Sequence, residues 1–388
     1  MKFYLLFFTL FILVPEKHVF TIPRDEVLWA LPQTDEQVKA LQDLLNTPEV
    51  ILWQPVVVEN IKKDREVHFY VRASKINSIK AQLRQLTIQH KVLMGDVQGI
   101  IEKQTVNDTI SARGSSSYYE NYHSMKEISK SMEKSKNAIW IDCGIHAREW
   151  ISPAFCLWFI GHVIHVRERD QTMTTLLEHF DFYIMPVINV DGYEYTWSHP
   201  SNRLWRKSRS SHGNSKCIGT DMNRNFDAHW CGPGASHSEC QEIYCGPYPE
   251  SEPEVKAVAR FVRDHKDTIK AYITMHSYSQ LVLFPYSYTM NKSKDHEELE
   301  SLAQKAAKAI KRTTWKTYRP GAGAQTIYLA PGGSDDWAYD LGIKYSFTFE
   351  LRDTGTYGFL LPSREIKPTS LEALSAVKEI AQHVLQNL

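Results

Sequence analysis

The chain has 388 residues, of which 43% are hydrophobic and 23% are charged, as in an ordinary soluble globular protein. Its 45 Lys and Arg residues balance its 45 Asp and Glu residues, so net charge gives no reason to expect nucleic acid or an anionic membrane as a partner. The length is enough for two or three domains with a large buried core.

The first 21 residues have the layout of a secretory signal peptide. Lys2 precedes the apolar run "FYLLFFTLFILVP", which is too short to span a bilayer and is followed by the polar "EKH". A buried N-terminal helix is the alternative, and the charged start disfavours it. Since no later stretch is apolar for long enough to cross a membrane, we expect a secreted, extracellular protein.

Residues 22 to about 95 are predicted to form a small domain. "EVLWAL" indicates a strand, Thr34 caps the helix "DEQVKALQDLL", and "VILWQPVVV" and "EVHFYVR" indicate two more strands. A helix, "INSIKAQLRQL", and a last strand, "HKVLM", complete the order β-α-β-β-α-β of a split-βαβ domain. Because it holds no cysteine and no obvious catalytic cluster, we expect this domain to cover or assist another part of the chain.

The stretch from about 95 to 120 is polar and rich in serine, which predicts an exposed linker. Within it, the Arg113–Gly114 bond suits a trypsin-like protease, and a merely solvated arginine is an equally supported alternative. Asn107 in "NDT" and Asn291 in "NKS" lie in glycosylation sequons, which are weak signals that gain weight in a secreted protein.

Beyond residue 137 predicted strands and helices alternate. This pattern is typical of an α/β sheet with helices on both faces, where active sites gather at the carboxyl ends of strands. The predicted elements are the strand "AIWIDC", the helix "PAFCLWFIGHVIHVRE", the strand "FDFYIMPVINV", the helix "EPEVKAVARFVRDH", the strands "IKAYITMHS" and "QLVLFPYSY", the helix "HEELESLAQKAAKAIKR", the strand "KYSFTFEL" and a final helix from about 369.

All six cysteines lie in this second part. In an exported chain an even number suggests disulfides, although six cysteines allow 15 pairings and spacing alone does not choose among them. A structural zinc knot is the alternative, and the absence of a paired C-x2-C pattern disfavours it. The residues are Cys143, Cys156, Cys217, Cys231, Cys240 and Cys245.

Polar side chains stand at three predicted strand ends. His146 and Glu149 follow "AIWIDC", His276 ends "AYITMH", and Glu350 interrupts the apolar "YSFTFEL". A carboxylate inside such a strand is costly unless it is paired or functional. Two imidazoles and one carboxylate would hold zinc and leave a position for water, from which Glu350 could take a proton. The pattern therefore predicts hydrolysis of an amide or ester.

This spacing is a weak signal by itself. A second H-x-x-E, His165 to Glu168, lies in a charge-rich helical stretch, and we assign it to a solvated helix face. For His276 a satisfied core histidine is the ordinary alternative. The chain contains neither H-E-x-x-H nor G-x-S-x-G, so a thermolysin-type zinc helix and a nucleophile elbow are both unsupported.

Six stretches resemble, in order, the motifs of the zinc metallocarboxypeptidases of the carboxypeptidase A/B family. They are "GIHAREW", "NRLWRKSRS", "GTDMNRNF", "MHSYSQLVLFPYSY", "IYLAPGGSDDWAYDLG" and "FTFELRDTGTYGFLLP". The resemblance implies an α/β fold with a mixed twisted sheet and helices on both faces, preceded by a small α+β pro-domain. The implied layout is a signal peptide at 1–21, an activation segment at 22–113 and a zinc carboxypeptidase domain at 114–388, in a monomer.

The resemblance also implies one zinc ion per chain, with His146, Glu149 and His276 as ligands. Glu350 becomes the general base and acid, and Arg206 would polarise the scissile carbonyl and stabilise the oxyanion. Asp221 would orient the ligand His146. The implied substrate-binding residues are Arg148, Asn223, Arg224, Ser277, Tyr278, Tyr328 and Asp335.

Two of these implied contacts define the substrate. Asn223 and Arg224 would grip a terminal carboxylate, which only a chain end offers. Asp335 would lie at the base of the side-chain pocket, where a carboxylate favours a cationic side chain. We therefore expect release of C-terminal Lys and Arg from peptides and proteins.

The family's disulfides correspond to Cys143–Cys156, Cys217–Cys240 and Cys231–Cys245, and its activation segment covers the cleft until a trypsin-like protease cleaves after Arg113. Four further stretches, "HVF", "VLWQPV", "NDT" and "NKSKDHEEL", favour the plasma branch of the family over its pancreatic digestive branch. That branch implies trimming of partly degraded fibrin and other plasma peptides, and so restraint of fibrinolysis. A pancreatic-type digestive carboxypeptidase B is the alternative.

One internal segment departs from the family pattern. Only "SKSMEKSK", at 129–136, separates "YYENYHSMKEI" from "NAIWIDCG", where the family has a long helix and two strands. Eight residues span at most about 29 Å, too little for those elements. Loss of two edge strands would expose the apolar "FDFYIMPVINV" as a new edge, which promotes mispairing. An inactive or poorly folded variant of the enzyme is therefore a further hypothesis.

Overall fold

The computed structural model describes residues 24–105, 137–166, 170–212 and 216–388. The predicted signal peptide 1–21, the sequon at Asn107, the Arg113–Gly114 bond, Glu168 and the segment 129–136 lie outside these residues. Within the described ranges, none of the helices combines the length and the apolar character that crossing a bilayer requires.

The N-terminal domain, residues 24–105, has the predicted β-α-β-β-α-β order. Its antiparallel sheet has the strand order β2-β3-β1-β4, and Thr34 caps the first helix by accepting a hydrogen bond from the backbone N of Gln37 at 3.2 Å. The elements are β1 Glu26–Leu31, α1 Asp35–Leu45, β2 Val50–Gln54, β3 Val67–Val71, α2 Ala73–Gln85 and β4 Gln89–Met94.

A helix that the sequence did not predict follows this sheet. Helix α3, Val97–Thr105, replaces the first part of the expected exposed linker. Val97 and Ile101, one turn apart, are buried in a cluster with Leu204 and Phe359 of the second domain. The linker prediction is wrong for these residues because only a narrow apolar stripe of an otherwise polar helix is buried.

The second domain contains a mixed sheet with the strand order β6-β5-β7-β10-β8-β9 in the described part of the chain. Strand β8 runs antiparallel to β10, whereas the other neighbouring pairs are parallel. The strands are β5 Asn137–Cys143, β6 Phe180–Met185, β7 Ile269–Ser277, β8 Leu281–Phe284, β9 Arg319–Ala322 and β10 Tyr345–Leu351.

Helices cover both faces of this sheet, as expected. Helices α4, α5, α8 and α11 bury one face in the larger core cluster, and α7 and α10 cover the other. The helices are α4 Ile151–Val166, α5 Gln171–His179, α6 Val190–Ser198, α7 Pro253–Asp264, α8 His296–Thr314, α9 Gly323–Thr326, α10 Ser334–Asp340 and α11 Ile366–Gln386.

The strand predicted over "FDFYIMPVINV" is too long. Strand β6 ends at Met185, because Pro186 has no N–H to continue the ladder. Asn189 then caps α6 by accepting a hydrogen bond from the backbone N of Gly192 at 2.9 Å. In the described sheet β6 is an edge strand, in agreement with the position expected from the eight-residue gap.

Three disulfides join the six cysteines in the pairing that the family resemblance implies. The bonds are Cys143–Cys156, Cys217–Cys240 and Cys231–Cys245. No cysteine is free. The zinc knot considered for this cluster is therefore wrong, although His237 lies 3.3 Å from the Sγ of Cys231.

Candidate metal centre and substrate cleft

The loop after β5 carries the first two candidate ligands. It begins with Gly144, whose positive φ of 65° suits glycine in this sharp turn, and it ends where α4 starts at Ile151. The backbone N of Gly144 donates to Ser152 Oγ at 3.0 Å, which ties the start of the loop to the helix. His146 and Glu149 are thereby held above the carboxyl end of β5.

His146, Glu149 and His276 converge on one point. His146 Nδ1 lies 2.8 Å from Glu149 Oε1, and His276 Nδ1 lies 3.1 Å from His146 Nδ1 and 3.2 Å from Glu149 Oε2. Their exposed fractions are 4%, 2% and 2%. Two ring nitrogens and a carboxylate that face one another in a buried site fit a divalent cation, and the donor set is one that zinc takes.

A buried carboxylate supports the first of these imidazoles. Asp221 Oδ1 lies 3.1 Å from His146 Nε2, and Asp221 Oδ2 accepts from Arg206 Nη2 at 2.7 Å and Nε at 3.1 Å. Burial would raise the pKa of Asp221, but the charges of Arg206 and His146 outweigh burial and hold this pKa well below its usual range. The ionised carboxylate therefore accepts from both neighbours.

Glu350 lies beside His276, because β10 and β7 are paired in register at these two residues. Both side chains line one cleft with His146 and Glu149. Burial raises the pKa of Glu350 to about 8, so the group exchanges protons near neutral pH.

The same cleft gathers nearly all of the predicted substrate-binding residues. Arg206 and the metal-site residues line it too, and the substrate-binding residues that it gathers are Asn223, Arg224, Ser277, Tyr278, Tyr328 and Asp335. Arg148 differs: it is fully buried, with its guanidinium 4.3 Å from the centre of the Phe359 ring, and Phe359 itself lines the cleft.

Arg224 is held in a fixed orientation. Its Nε donates to the carbonyl of Gly234 at 3.1 Å and its Nη1 donates to the carbonyl of Asn223 at 2.8 Å. The side chain of Asn223 accepts from the backbone N of Ser334 at 3.0 Å. These contacts fix a cation and an amide next to each other in the cleft.

The adjacent carboxylates of Asp335 and Asp336 have different surroundings. Asp336 accepts hydrogen bonds from the backbone N atoms of Ser287 and Tyr288, at 2.8 and 2.9 Å, and is committed to that loop. Asp335 lines the cleft at 3% exposure, and its Oδ2 has no hydrogen-bond partner among the described residues. A buried carboxylate oxygen in this state favours a cationic ligand.

The N-terminal domain closes the cleft from above. Trp53, 2% exposed, packs edge-on against the rings of Tyr278 and Phe359, with centroids 6.2 and 5.1 Å away. His68 Nδ1 lies 2.8 Å from Tyr278 Oη, and Ser279 Oγ donates to the Gln54 side chain at 3.2 Å. Sequence reasoning found none of these contacts, because no motif distinguishes a docking residue from a core residue.

The comparisons with known proteins agree with this geometry. The chain matches the family model for zinc carboxypeptidase over residues 109–376 and the model for carboxypeptidase activation peptide over residues 28–104. It is 56% identical to carboxypeptidase B2 of Rattus norvegicus, with both chains fully covered, and 54% identical to carboxypeptidase B2 of Homo sapiens, over 98% of this chain and 99% of that one.

The fold is similar to the crystal structure of thrombin activatable fibrinolysis inhibitor, with a TM-score of 0.90 and 53% identity over 94% of this chain and all of that one. The alignment with the rat relative has 423 positions against 388 residues here, so at least 35 positions of that relative lack a counterpart in this chain. The chain belongs to the zinc carboxypeptidase family, and it carries that family's activation peptide before the enzyme domain.

Proposed function

We propose that the chain is the secreted zymogen of a B-type carboxypeptidase, which hydrolyses the last peptide bond of a substrate and releases Lys or Arg. The observation that carries this proposal is Asp335 Oδ2, which lacks a hydrogen-bond partner in the described part of the chain and lies in the cleft that also holds His146, Glu149 and His276. A lysine or arginine side chain would neutralise that carboxylate, whereas an apolar side chain would leave it buried and unpaired.

The other residues of the cleft support an exopeptidase. We assign His146, Glu149 and His276 as ligands of one zinc ion, which supplies a Lewis acid and lowers the pKa of a bound water when it is present. Glu350 would accept a proton from water and pass it to the leaving amine. The Arg206 guanidinium would face the negative charge that develops on the carbonyl oxygen.

Further residues would position the end of the substrate. Asn223 and Arg224 would bind its terminal carboxylate, with two parallel hydrogen bonds from the arginine. Tyr328 would close over the bound residue, while Ser277 and Tyr278 would line the path of the preceding residues.

The covered cleft supports the zymogen. We assign 1–21 as a signal peptide, 22–113 as the activation segment and 114–388 as the enzyme domain. A trypsin-like protease would cut the Arg113–Gly114 bond and allow the segment to leave. Glycans would attach at Asn107 and at Asn291, whose side chain is exposed.

The relatives support a plasma role. Carboxypeptidase B2 chains are 54–56% identical to this chain, compared with 43% for carboxypeptidase B of Homo sapiens, the representative of the digestive alternative. We therefore place the enzyme in blood plasma, where it would remove C-terminal Lys and Arg from partly degraded fibrin and so restrain fibrinolysis.

The test compares two substrates after limited tryptic cleavage. The secreted chain, loaded with zinc, should hydrolyse hippuryl-arginine far faster than hippuryl-phenylalanine. Replacing Asp335 by Asn should lower kcat/KM for the arginine substrate by about 30-fold or more, because a charge pair in a buried site is worth at least about 2 kcal/mol. The control Asp267→Asn alters an exposed carboxylate and should change nothing. Equal rates on both substrates would contradict the assignment.

A second candidate is a non-catalytic or poorly folded variant of the same enzyme. It is favoured by the 35 or more positions that the chain lacks relative to the rat protein and by the apolar edge strand β6. The chain should be expressed beside a version with the segment restored between 128 and 137. Equal secretion and equal arginine-releasing activity would eliminate this candidate.

A further inference from the structure

The ring of His276 has a second nitrogen, Nε2, that makes a contact within the sheet. It lies 3.3 Å from Thr274 Oγ1, and the two residues lie two apart on β7, so their side chains share one face. Thr274 is directly opposite Asp142 of β5, and its Oγ1 lies 2.6 Å from Asp142 Oδ1. Trp140 Nε1 donates to the other oxygen, Asp142 Oδ2, at 2.7 Å. The four side chains form one continuous hydrogen-bonded row.

This row is fully enclosed by protein. Asp142 and Thr274 have no exposed surface, and Trp140 is 2% exposed. A carboxylate in the middle of a sheet costs several kcal/mol of desolvation unless something repays it. None of the catalytic steps assigned above uses Asp142, so its retention in the sheet calls for another explanation.

The hydrogen-bonding capacity of each group fixes the direction of the row. His276 Nδ1 faces His146 and Glu149, so a cation held there would take the lone pair of Nδ1 and leave the ring proton on Nε2. Nε2 then donates to Thr274 Oγ1, and the single hydrogen of the Thr274 hydroxyl is donated to Asp142 Oδ1.

We propose that Asp142 and Thr274 are positioning residues that hold the ring of His276 in the orientation in which Nδ1 is presented to zinc. Their role would parallel that of Asp221, which contacts the corresponding nitrogen of His146 directly. The inference rests on the zinc site assigned above, and it extends that site two residues deeper into the sheet.

Three substitutions separate this role from ordinary packing. Thr274→Val keeps the shape and removes the hydroxyl, whereas Thr274→Ser keeps the hydroxyl. Asp142→Asn keeps the shape and reverses the row. Because Trp140 Nε1 is only a donor, the amide oxygen must face it, and the amide NH2 must face Thr274. The threonine hydrogen would then point at His276 Nε2, which also carries a hydrogen when Nδ1 binds zinc, so the two donors would face each other.

The matched control is Thr369→Val, which removes a fully buried hydroxyl that has no hydrogen-bond partner among the described residues. The full zinc-loaded chain and each variant are titrated with a chromophoric chelator to obtain the zinc Kd. The 15N shifts of the imidazoles in the zinc-loaded chain show which ring nitrogen of His276 binds the metal. Near-ultraviolet circular dichroism checks that each variant is folded.

Thr274→Val should weaken zinc binding by roughly 10- to 100-fold, as loss of such supporting contacts does. Asp142→Asn should weaken it at least as much. The zinc Kd of Thr274→Ser and of Thr369→Val should stay within about threefold of the parent value, a smaller change than the loss of a supporting contact causes. The proposal is overturned if folded Thr274→Val and Asp142→Asn bind zinc as the parent does. It is also overturned if Asp142→Asn binds zinc more tightly than Thr274→Val. A parent chain that binds no zinc would instead overturn the assigned zinc site itself.

Discussion

Replacing Trp53 by alanine should open the cleft of the uncleaved chain. Trp53 is almost fully buried and makes edge-to-face contacts with Tyr278 and Phe359, each worth about 0.5–1.5 kcal/mol beyond its buried area. A buried Trp→Ala change costs about 3–5 kcal/mol in total. Part of this loss concerns contacts inside the N-terminal domain, because Val27 and Met94 of that domain belong to the same apolar cluster as Trp53. We therefore assign about 2 kcal/mol of the loss to the interface between the two domains. That amount raises the undocked population about 30-fold.

The assay uses the full chain without protease. Hydrolysis of hippuryl-arginine by the uncleaved variant should rise about 30-fold above that of the uncleaved parent, in proportion to the undocked population. The rate at which a chelator removes zinc should rise in parallel, which gives a readout independent of activity. Trp315→Ala alters an exposed tryptophan, 83% accessible, and should affect neither rate. If both rates of Trp53→Ala equal those of the parent, the N-terminal domain does not control access through this contact.

Three further predictions concern charge and metal. Burial lowers the pKa of His68, which faces Glu66, Tyr278, Asp353 and Lys91. Docking of the N-terminal domain should therefore be complete above about pH 6.5 and weaken below it, because undocked His68 then takes up a proton. Acid also protonates the zinc ligands, so the rate of zinc removal by a chelator should rise on acidification in both chains, and more steeply in the parent than in His68→Asn. Arg352→Met should lower the free energy of unfolding in urea by about 3–5 kcal/mol, because the fully buried Glu372 loses the guanidinium that donates to it at 2.9 Å. An unchanged urea midpoint would contradict this account. Removal of zinc should lower Tm in calorimetry by an amount that returns when zinc is restored, because the metal binds only the folded chain.

The sequence predicted the sheet because apolar strands are a strong local pattern. The spacing of the candidate zinc ligands is weak by itself, and it gained weight from their place at strand ends and from the family's motifs. The apolar strand "AIWIDC" is followed by a turn with His146, and the apolar strand "AYITMH" ends in His276. Parallel pairing of the two strands brings these ends together. The residue roles came from motif resemblance rather than from periodicity. The sequence without the motif does not distinguish Asp335 from Asp336. They differ because the backbone N–H groups of a neighbouring loop donate to Asp336.

What the sequence did not predict depends on long-range packing. Helix α3 has only a narrow apolar stripe, and Leu204 and Phe359, which bury it from the second domain, lie about a hundred residues or more further along the chain. Helices α5 and α6 are short and are capped by Asp170 and Asn189, side chains that are equally common in turns. The row from His276 to Asp142 was missed because threonine inside a strand gives no sign of function until its cross-strand neighbour is known.

The side chains on the two faces of strand β7 have different roles. The larger core contains Ala271, Ile273 and Met275, whereas Thr274 and His276 lie on the opposite face and belong to the candidate metal site and its supporting row. A register shift of one residue against either neighbour would turn the His276 imidazole into the apolar core and separate the three candidate ligands. Metal content is consequently a direct gauge of whether a shortened chain has aligned its central strands correctly, and it can be read before any substrate is tried.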